Sequence, residues 1–400
     1  MQRNNGSALS GLKVLDLGQM VAAPLASAIM ADMGADVIKI ELPLTGDMSR
    51  AMLPKQNDIS TYFVVFNRGK RGMSLDLKSE KGHEIMCRLI KEADVIVENF
   101  RPGVTQRLGL SYEDVSRINP GIIYASISGY GQEGIYAGRA AFDPIAQAMS
   151  GIMSVTGPAG GENVRCGTSI ADILAGQNAV IGVLAALEHR NKTGEGQHID
   201  IALVDSCIEA MSSVNQIFLT ARKIPGNLGN SFESSAPGNS YPTADNSCVV
   251  ILCGRDAPWR KLAEVLGHAE WADMPEFASV AQRVKNRAAL DALVASETIK
   301  YNKEDLLKLL LDAKLPAAPM LTVEQVAADP HFRDEREMFV QVDHPELGPV
   351  MITGQAIKMS RTNPWVRKCS PLLGQDNDCI LSQLGYSAEE IRQFQEEHII

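Results

Sequence analysis

Of the features that assign a chain to a class at sight, this 400-residue sequence lacks most. It has no CxxC pair. Its seven cysteines (Cys87, Cys166, Cys207, Cys248, Cys253, Cys369, Cys379) are odd in number and widely spread, the usage of reduced thiols in a cytoplasmic protein. HExxH and other metal-ligand spacings are missing among seven scattered histidines, so no metal site is expected. No long run of one sign interrupts a formal net charge of −10. Nucleic acid and anionic membranes are therefore not expected as partners. No apolar run approaches the ~20 residues that a membrane span needs. The polar start MQRNNGSALSG does not read as a signal peptide, and no internal repeat is visible.

What is present is an ordinary globular composition, 45% apolar and 22% charged. The length exceeds what one core usually holds, so two domains are expected. Lys13 to Leu17 reads as a strand, GQMVAAPLASAIMADMGA as a helix, and Val37 to Glu41 as a second, parallel strand. No GxGxxG separates them, which counts against a dinucleotide site and a nicotinamide dehydrogenase. The alternation continues through a basic turn and strand (Asn67 to Leu77), a helix (Glu80 to Ala93), the strand Asp94 to Phe100, and the strand Ile122 to Gly131. This predicts a mostly parallel α/β sheet with ligands beyond its carboxyl ends. A helix is expected over Gly138 to Gly157, with Asp143 and Gln147 on one turn. After Arg222 the chain turns rich in Gly, Ser, Pro and Asn. The expected division is a large domain over 1–222, a linker and small domain over 223–330, and a return to the large domain over 331–400.

The stretch from Gly167 to His189, GTSIADILAGQNAVIGVLAALEH, organises the rest. Ile173, Leu174, Ile181, Leu184 and Leu187 keep helical spacing and predict one buried face. Gly176 and Gly182 admit a close backbone neighbour. Asp172 stands at the helix start, where unpaired N–H groups and the helix dipole favour an ionised carboxylate. Taken alone, this residue reads as an N-cap. Arg68, Lys70 and Arg71 suit either phosphate or a solvated turn.

Taken together and in order, several stretches resemble the class III coenzyme A transferases, the CaiB/BaiF family. They are LSGLKVLDLGQMVAAPLASAIMADMGADVIKIE, GDMSR, NRGKRGMSLDLKS, VENFRPG, RLGL, ISGYGQEG, AFDPIAQAMSGIMSVTG, the Asp172 segment, GQHIDIALVDS, APGNSYPTADN and SPLLGQDN. The resemblance implies a Rossmann-like large domain built from both chain ends, a smaller domain, and an interlocked, ring-like homodimer. It implies Asp172 as nucleophile: the carboxylate attacks an acyl-CoA, and an aspartyl anhydride and then an aspartyl-CoA thioester form before the acceptor acid completes the exchange. Acyl-CoA and a carboxylic acid are the implied substrates, with no tightly bound cofactor. By position, the implied CoA contacts are Val21, Lys70, Arg71, Asn99, Phe100, Arg107 and Arg139. Backbone donors of a glycine loop are implied for the oxyanion, from either Gly226 to Gly229 or Pro237-Gly238-Asn239.

Departures narrow the choice. The oxalate branch of the family has Gln where Val21 stands, and a glycine run in the small domain. The racemase branch has a His-Asp pair where this chain has Phe142-Asp143. An acyl-CoA racemase or isomerase, or a CoA-binding member without turnover, are the alternatives. A small dicarboxylate is preferred as the acid, with Arg222 or Arg255 for its second carboxylate.

Overall fold

Six short strands form one sheet: β1 (Lys13–Asp16), β2 (Asp36–Glu41), β3 (Arg71–Ser74), β4 (Val95–Glu98), β5 (Ile123–Ser128) and β6 (Gln197–Ala202). Around them run α1 (Ala22–Asp32), α2 (Glu80–Glu92), α3 (Asp143–Ser150), α4 (Ile170–Thr193) and α5 (Leu203–Ala210). The computed structural model describes residues 6–400, so the first five residues of the polar start lie outside it. The strands lie in the order β3-β2-β1-β4-β5-β6, and each neighbouring pair is parallel. This is the Rossmann order, whose winding reverses between β1 and β4.

Alternate strand residues face opposite sides. Val14, Val37, Val95, Val97 and Ile123 join a core with α1 and α4. Leu15, Ile38, Ile40, Met73 and Ile96 join another with α2 and the C-terminal residues Ile380, Leu381, Ile391 and Phe394. The far end of the chain also covers the β3 edge. The Gly72 N–H donates to Asp376 Oδ2 at 2.7 Å and the Ser74 N–H to Asn377 Oδ1 at 3.0 Å. An edge strand left bare would present unpaired backbone groups.

Three expectations about these helices change. The helix expected over Gly138 to Gly157 is only Asp143–Ser150, closed by Gly151 at φ +90°. The buried face of α4 is its small-residue face: Ala171, Ala175, Gly176, Ala179, Val180, Val183 and Ala186. Ile181 and Leu184, expected inside, are 64% and 38% exposed. Close approach to α1 is the reason, since a Cβ on Gly176 would lie 2.7 Å from the Ala22 carbonyl oxygen. Finally, α4 is by length and composition apolar enough to cross a bilayer, contrary to the expected lack of any such run.

Contacts divide the chain into two units. The first runs to Ile152 and adds Cys166–Asn215 and Asp329–Ile400; the second is Met153–Arg165 plus Gln216–Ala328. The segment Met153–Arg165 was expected in the large domain. It joins the second unit through Asn227, whose Nδ2 donates to Gly161 O at 2.9 Å and whose Oδ1 accepts the Gly160 N–H at 3.1 Å. That unit holds a three-stranded antiparallel sheet, ordered Ala317–Pro319, Cys248–Leu252, Gly238–Pro242. Its core includes Trp259, Leu262 and Leu290.

Candidate active site

In the first unit, the carboxyl ends of β1, β4, β5 and β6 open on one cavity of about 390 Å³. It lies at the reversal of winding, where doubly wound sheets take ligands. Gln19 and Met20 reach it after β1, Asn99 to Arg101 after β4, Ser128 and Gly129 from β5, and Leu203 after β6. From α4 comes Asp172, the one carboxyl among the described lining residues.

Asp172 is third in its helix, and Ser169 holds the N-cap place without a side-chain cap bond. The capping expected of Asp172 belongs to Asp143. Asp143 Oδ1 accepts the Ala171 N–H at 2.8 Å, and Oδ2 accepts Gln147 Nε2 at 2.6 Å. Gln147 Oε1 in turn accepts the Cys166 N–H at 2.8 Å. The expectation of a readily ionised carboxylate is also corrected. Burial pushes the Asp172 carboxyl up to about 7, and the neighbouring Asp143 charge adds to it. Desolvation disfavours the charged form, and the nearest helix N–H is already given to Asp143.

The loop after β1 is held from beneath. Met20 adopts φ +66°, uncommon without a glycine. Its N–H donates to Asp47 Oδ1 at 3.0 Å, and Asp47 Oδ2 accepts Lys39 Nζ at 2.9 Å. Lys39 also donates to Gly18 O. Asn99 braces the other side: Oδ1 accepts the Gln19 N–H at 2.7 Å, and Nδ2 donates to Gln19 O at 2.8 Å. Asn99 thus reaches the cavity as a brace between two loops. Phe100 lines the same wall. Val21 is buried, 3% exposed; Met20 and Ala22 line the cavity in its place.

The expected cations separate. Lys70 is fully buried and donates to Asp16 Oδ2 (2.7 Å), Asn67 Oδ1 (2.8 Å), Pro24 O (2.9 Å) and Phe66 O (3.0 Å). These four acceptors use its three N–H groups and leave none for a phosphate. Burial lowers this ammonium to about 8. Arg71 begins β3, at the edge of the sheet opposite the strand ends. It grips Asp36 with two bonds of 2.9 and 2.6 Å and meets Gln383 at 3.0 Å. Arg107 is exposed and does not line the cavity. Arg139 does line it, its guanidinium 4.0 Å from the Tyr136 ring centroid. Arg101 lines it too, and sequence reasoning missed it. The signal was its place directly after the Asn99-Phe100 strand end.

The glycine candidates lie in the second unit. Gly238 is buried in a strand opposite Leu252. The Gly229 N–H donates to Gly157 O at 3.1 Å, while Gly226 is exposed in open space. Gly226 to Gly229 is thus stitched to the Gly157 to Asn163 segment through Asn227 and Gly229. Arg222 lies 5.9 Å from the Phe218 ring centroid. Arg255 is exposed, at the N-cap place of the helix Asp256–Val265.

Both the sequence and the fold are similar to those of known proteins. Residues 9–377 match the model of CoA-transferase family III. The succinate–glutarate CoA-transferase of Agrobacterium fabrum is 36% identical, over 95% of this chain and 96% of its own length. The acetyl-CoA:oxalate CoA-transferase of Acetobacter aceti is 37% identical, over 91% and 92%. The crystal structure of a CaiB/BaiF family protein from Brucella suis superposes with a TM-score of 0.85 at 37% identity, covering 95% of this chain and 100% of that one.

Proposed function

The chain belongs to CoA-transferase family III, and from that premise we propose that Asp172 is the nucleophile by which it moves coenzyme A from an acyl-CoA to a free carboxylic acid. The observation that carries this reading is the position of Asp172 as the one carboxyl among the described residues on the walls of the strand-end cavity.

Asp172 Oδ attacks the thioester carbonyl, and the C–S bond breaks to give a mixed anhydride and the CoA thiolate. The thiolate attacks the aspartyl carbonyl, forming an aspartyl-CoA thioester and releasing the donor acid as its carboxylate. The acceptor carboxylate then attacks that thioester, and the freed thiolate takes the acceptor acyl group. Asp172 returns as a carboxylate, and no net proton is consumed. A carboxyl near 7 is a stronger nucleophile when ionised than an ordinary aspartate, yet is still largely ionised in a mildly alkaline cell. The first turn of α1 bears no side-chain cap, and Ala22 lines the cavity. Its free N–H groups supply donors for developing oxyanions. Arg101 and Arg139 offer two guanidinium groups to the anionic substrate.

The acids are small dicarboxylates, a reading supported by the succinate, glutarate and oxalate in the relatives' names. The isomerase alternative is disfavoured because Asp143 is committed to Ala171 and Gln147 and its neighbour is Phe142. Self-association is supported by the exposed Ile181 and Leu184 on α4 and Ile208 on α5. Seven free thiols favour the reducing cytoplasm.

Intact-protein mass spectrometry with a panel of acyl-CoAs, trapped with hydroxylamine, tests the mechanism. The expected result is modification at Asp172 by a dicarboxylyl-CoA and none in Asp172→Ala. Absence of any adduct, together with α-proton exchange in deuterated water, would overturn it in favour of isomerisation.

A further inference from the structure

Glu98 closes β4, directly before the Asn99–Phe100 wall of the cavity, and is only 2% exposed. A carboxylate so buried must be matched by donors. Its Oε2 accepts the Phe100 N–H at 2.7 Å. In register, Glu98 stands beside Ser126 on β5, and Ser126 beside Asp200 on β6. Ser126 Oγ lies 2.9 Å from His198 Nε2. Ser126 is buried while His198 is exposed, its ring stacked 5.5 Å from that of Tyr112. Strand register therefore sets His198, Ser126 and Glu98 in a row between solvent and a carboxylate that holds the cavity wall.

We infer that Glu98 is a positioning residue for coenzyme A: its ionised carboxylate fixes the Phe100 amide and the wall it belongs to, while Ser126 and His198 pass protons between it and solvent. The inference rests on the reading of the cavity as the CoA site. When Glu98 is ionised, His198 Nε2–H donates to Ser126 Oγ and the Ser126 hydroxyl donates to Glu98. A proton arriving at His198 Nδ1 moves the Nε2 proton to Ser126, and the Ser126 proton to Glu98. The hydroxyl and the neutral ring keep their proton count; the ring changes tautomer and Glu98 becomes neutral. A neutral carboxyl is the weaker acceptor for Phe100.

The surroundings put this exchange near neutrality. Burial pushes the Glu98 carboxyl up to about 7, with the Ser126 hydroxyl and the Phe100 N–H pulling the other way and Asp200 adding to the rise. The other titratable groups facing the chain are His198, whose ring is partly desolvated against Tyr112 and Tyr124 and so held below its ordinary value, Tyr112 itself, Tyr124, whose hydroxyl donates to Leu110 O, and Glu113, which acts on both His198 and Tyr124.

The test is calorimetric binding of coenzyme A to wild type and to Glu98→Gln at pH 6 and pH 8. The CoA phosphates and Asp172 titrate in both proteins, so the ratio of affinities isolates Glu98. Glu98→Gln is expected to bind about five- to tenfold more weakly at pH 8, on the scale of one charge-assisted hydrogen bond, and nearly as wild type at pH 6. Ser126→Ala leaves the carboxylate in place and removes a group that favours its charge. It should move the wild-type transition to higher pH, and it tests the idea even if Glu98→Gln does not fold. Equal affinities at pH 8, an unmoved transition in Ser126→Ala, or a lower melting temperature with unchanged affinity would each overturn the inference. Wild type that binds no coenzyme A at either pH would sink the proposed function and this inference with it.

Discussion

Asp172 lies in the first turn of α4, one residue beyond a backbone N–H already taken by Asp143. The helix start, and hence the place of the carboxylate, was legible in the residues around it. Its protonation was not, because periodicity carries no information about dielectric. The same blindness misread Lys70: a basic turn in sequence became an ammonium closed in by Asp16, Asn67 and two backbone carbonyls. For Asp172 the sign follows from a folded value near 7 above an unfolded value near the ordinary 3.8. Ionising it opposes folding, so this destabilisation is absent below the unfolded value, grows as pH rises, and levels off above about 7. Asp172→Asn should therefore lose transfer yet become more stable than wild type at pH 8, by about 1–3 kcal/mol, a discounted share of the linkage. Paired urea melts at pH 4 and pH 8 would show it; a gain that is equal at both would contradict the assignment of the charge cost to this carboxyl.

α4 meets α1 through alanines, valines and Gly176. Glycine spacing announced a close contact; of the apolar side chains expected inside, Leu174 and Leu187 pack against the core while Ile181 and Leu184 are exposed. Large residues look like core residues in a one-dimensional pattern, whereas two helices in near contact need small ones. Gly176→Ala places a methyl 2.7 Å from the Ala22 carbonyl, and backbone on that side cannot yield cheaply. The expected cost is about 1–3 kcal/mol, with a lower transfer rate as Asp172 shifts away from the Met20 loop. Gly182→Ala meets only the Ile199 side chain at 3.0 Å, and should cost less in the same melts. If the two substitutions cost the same, the α1 contact is not what sets the position of α4.

The whole chain is two compact units, with the first assembled from three separated stretches. The return of the C-terminus to the large sheet was legible from the order of motifs. The capture of Met153–Arg165 by the second unit was not, since it depends on Asn227 meeting backbone more than sixty residues away. Ile181, Leu184 and Ile208 remain exposed on the first unit. A charge placed there should weaken the proposed self-association: Ile181→Glu is expected to lower the mass seen by light scattering after size exclusion, with a far-ultraviolet spectrum like that of wild type. An unchanged mass would overturn the assignment of a self-contact to this surface.

Sequence alone determined the parallel α/β class, the alternation that builds the sheet, the family, and the segment bearing Asp172, because these depend on local pattern and on motifs in order. Tertiary structure alone decided which charged groups are inside, which face of α4 is buried, that Arg101 lines the cavity with Asp172, and that Glu98 is buried behind its Phe100 wall. Those outcomes depend on distances between residues far apart in the chain. Burial then sets the cost of each charge, and only the partners brought by the fold offset it.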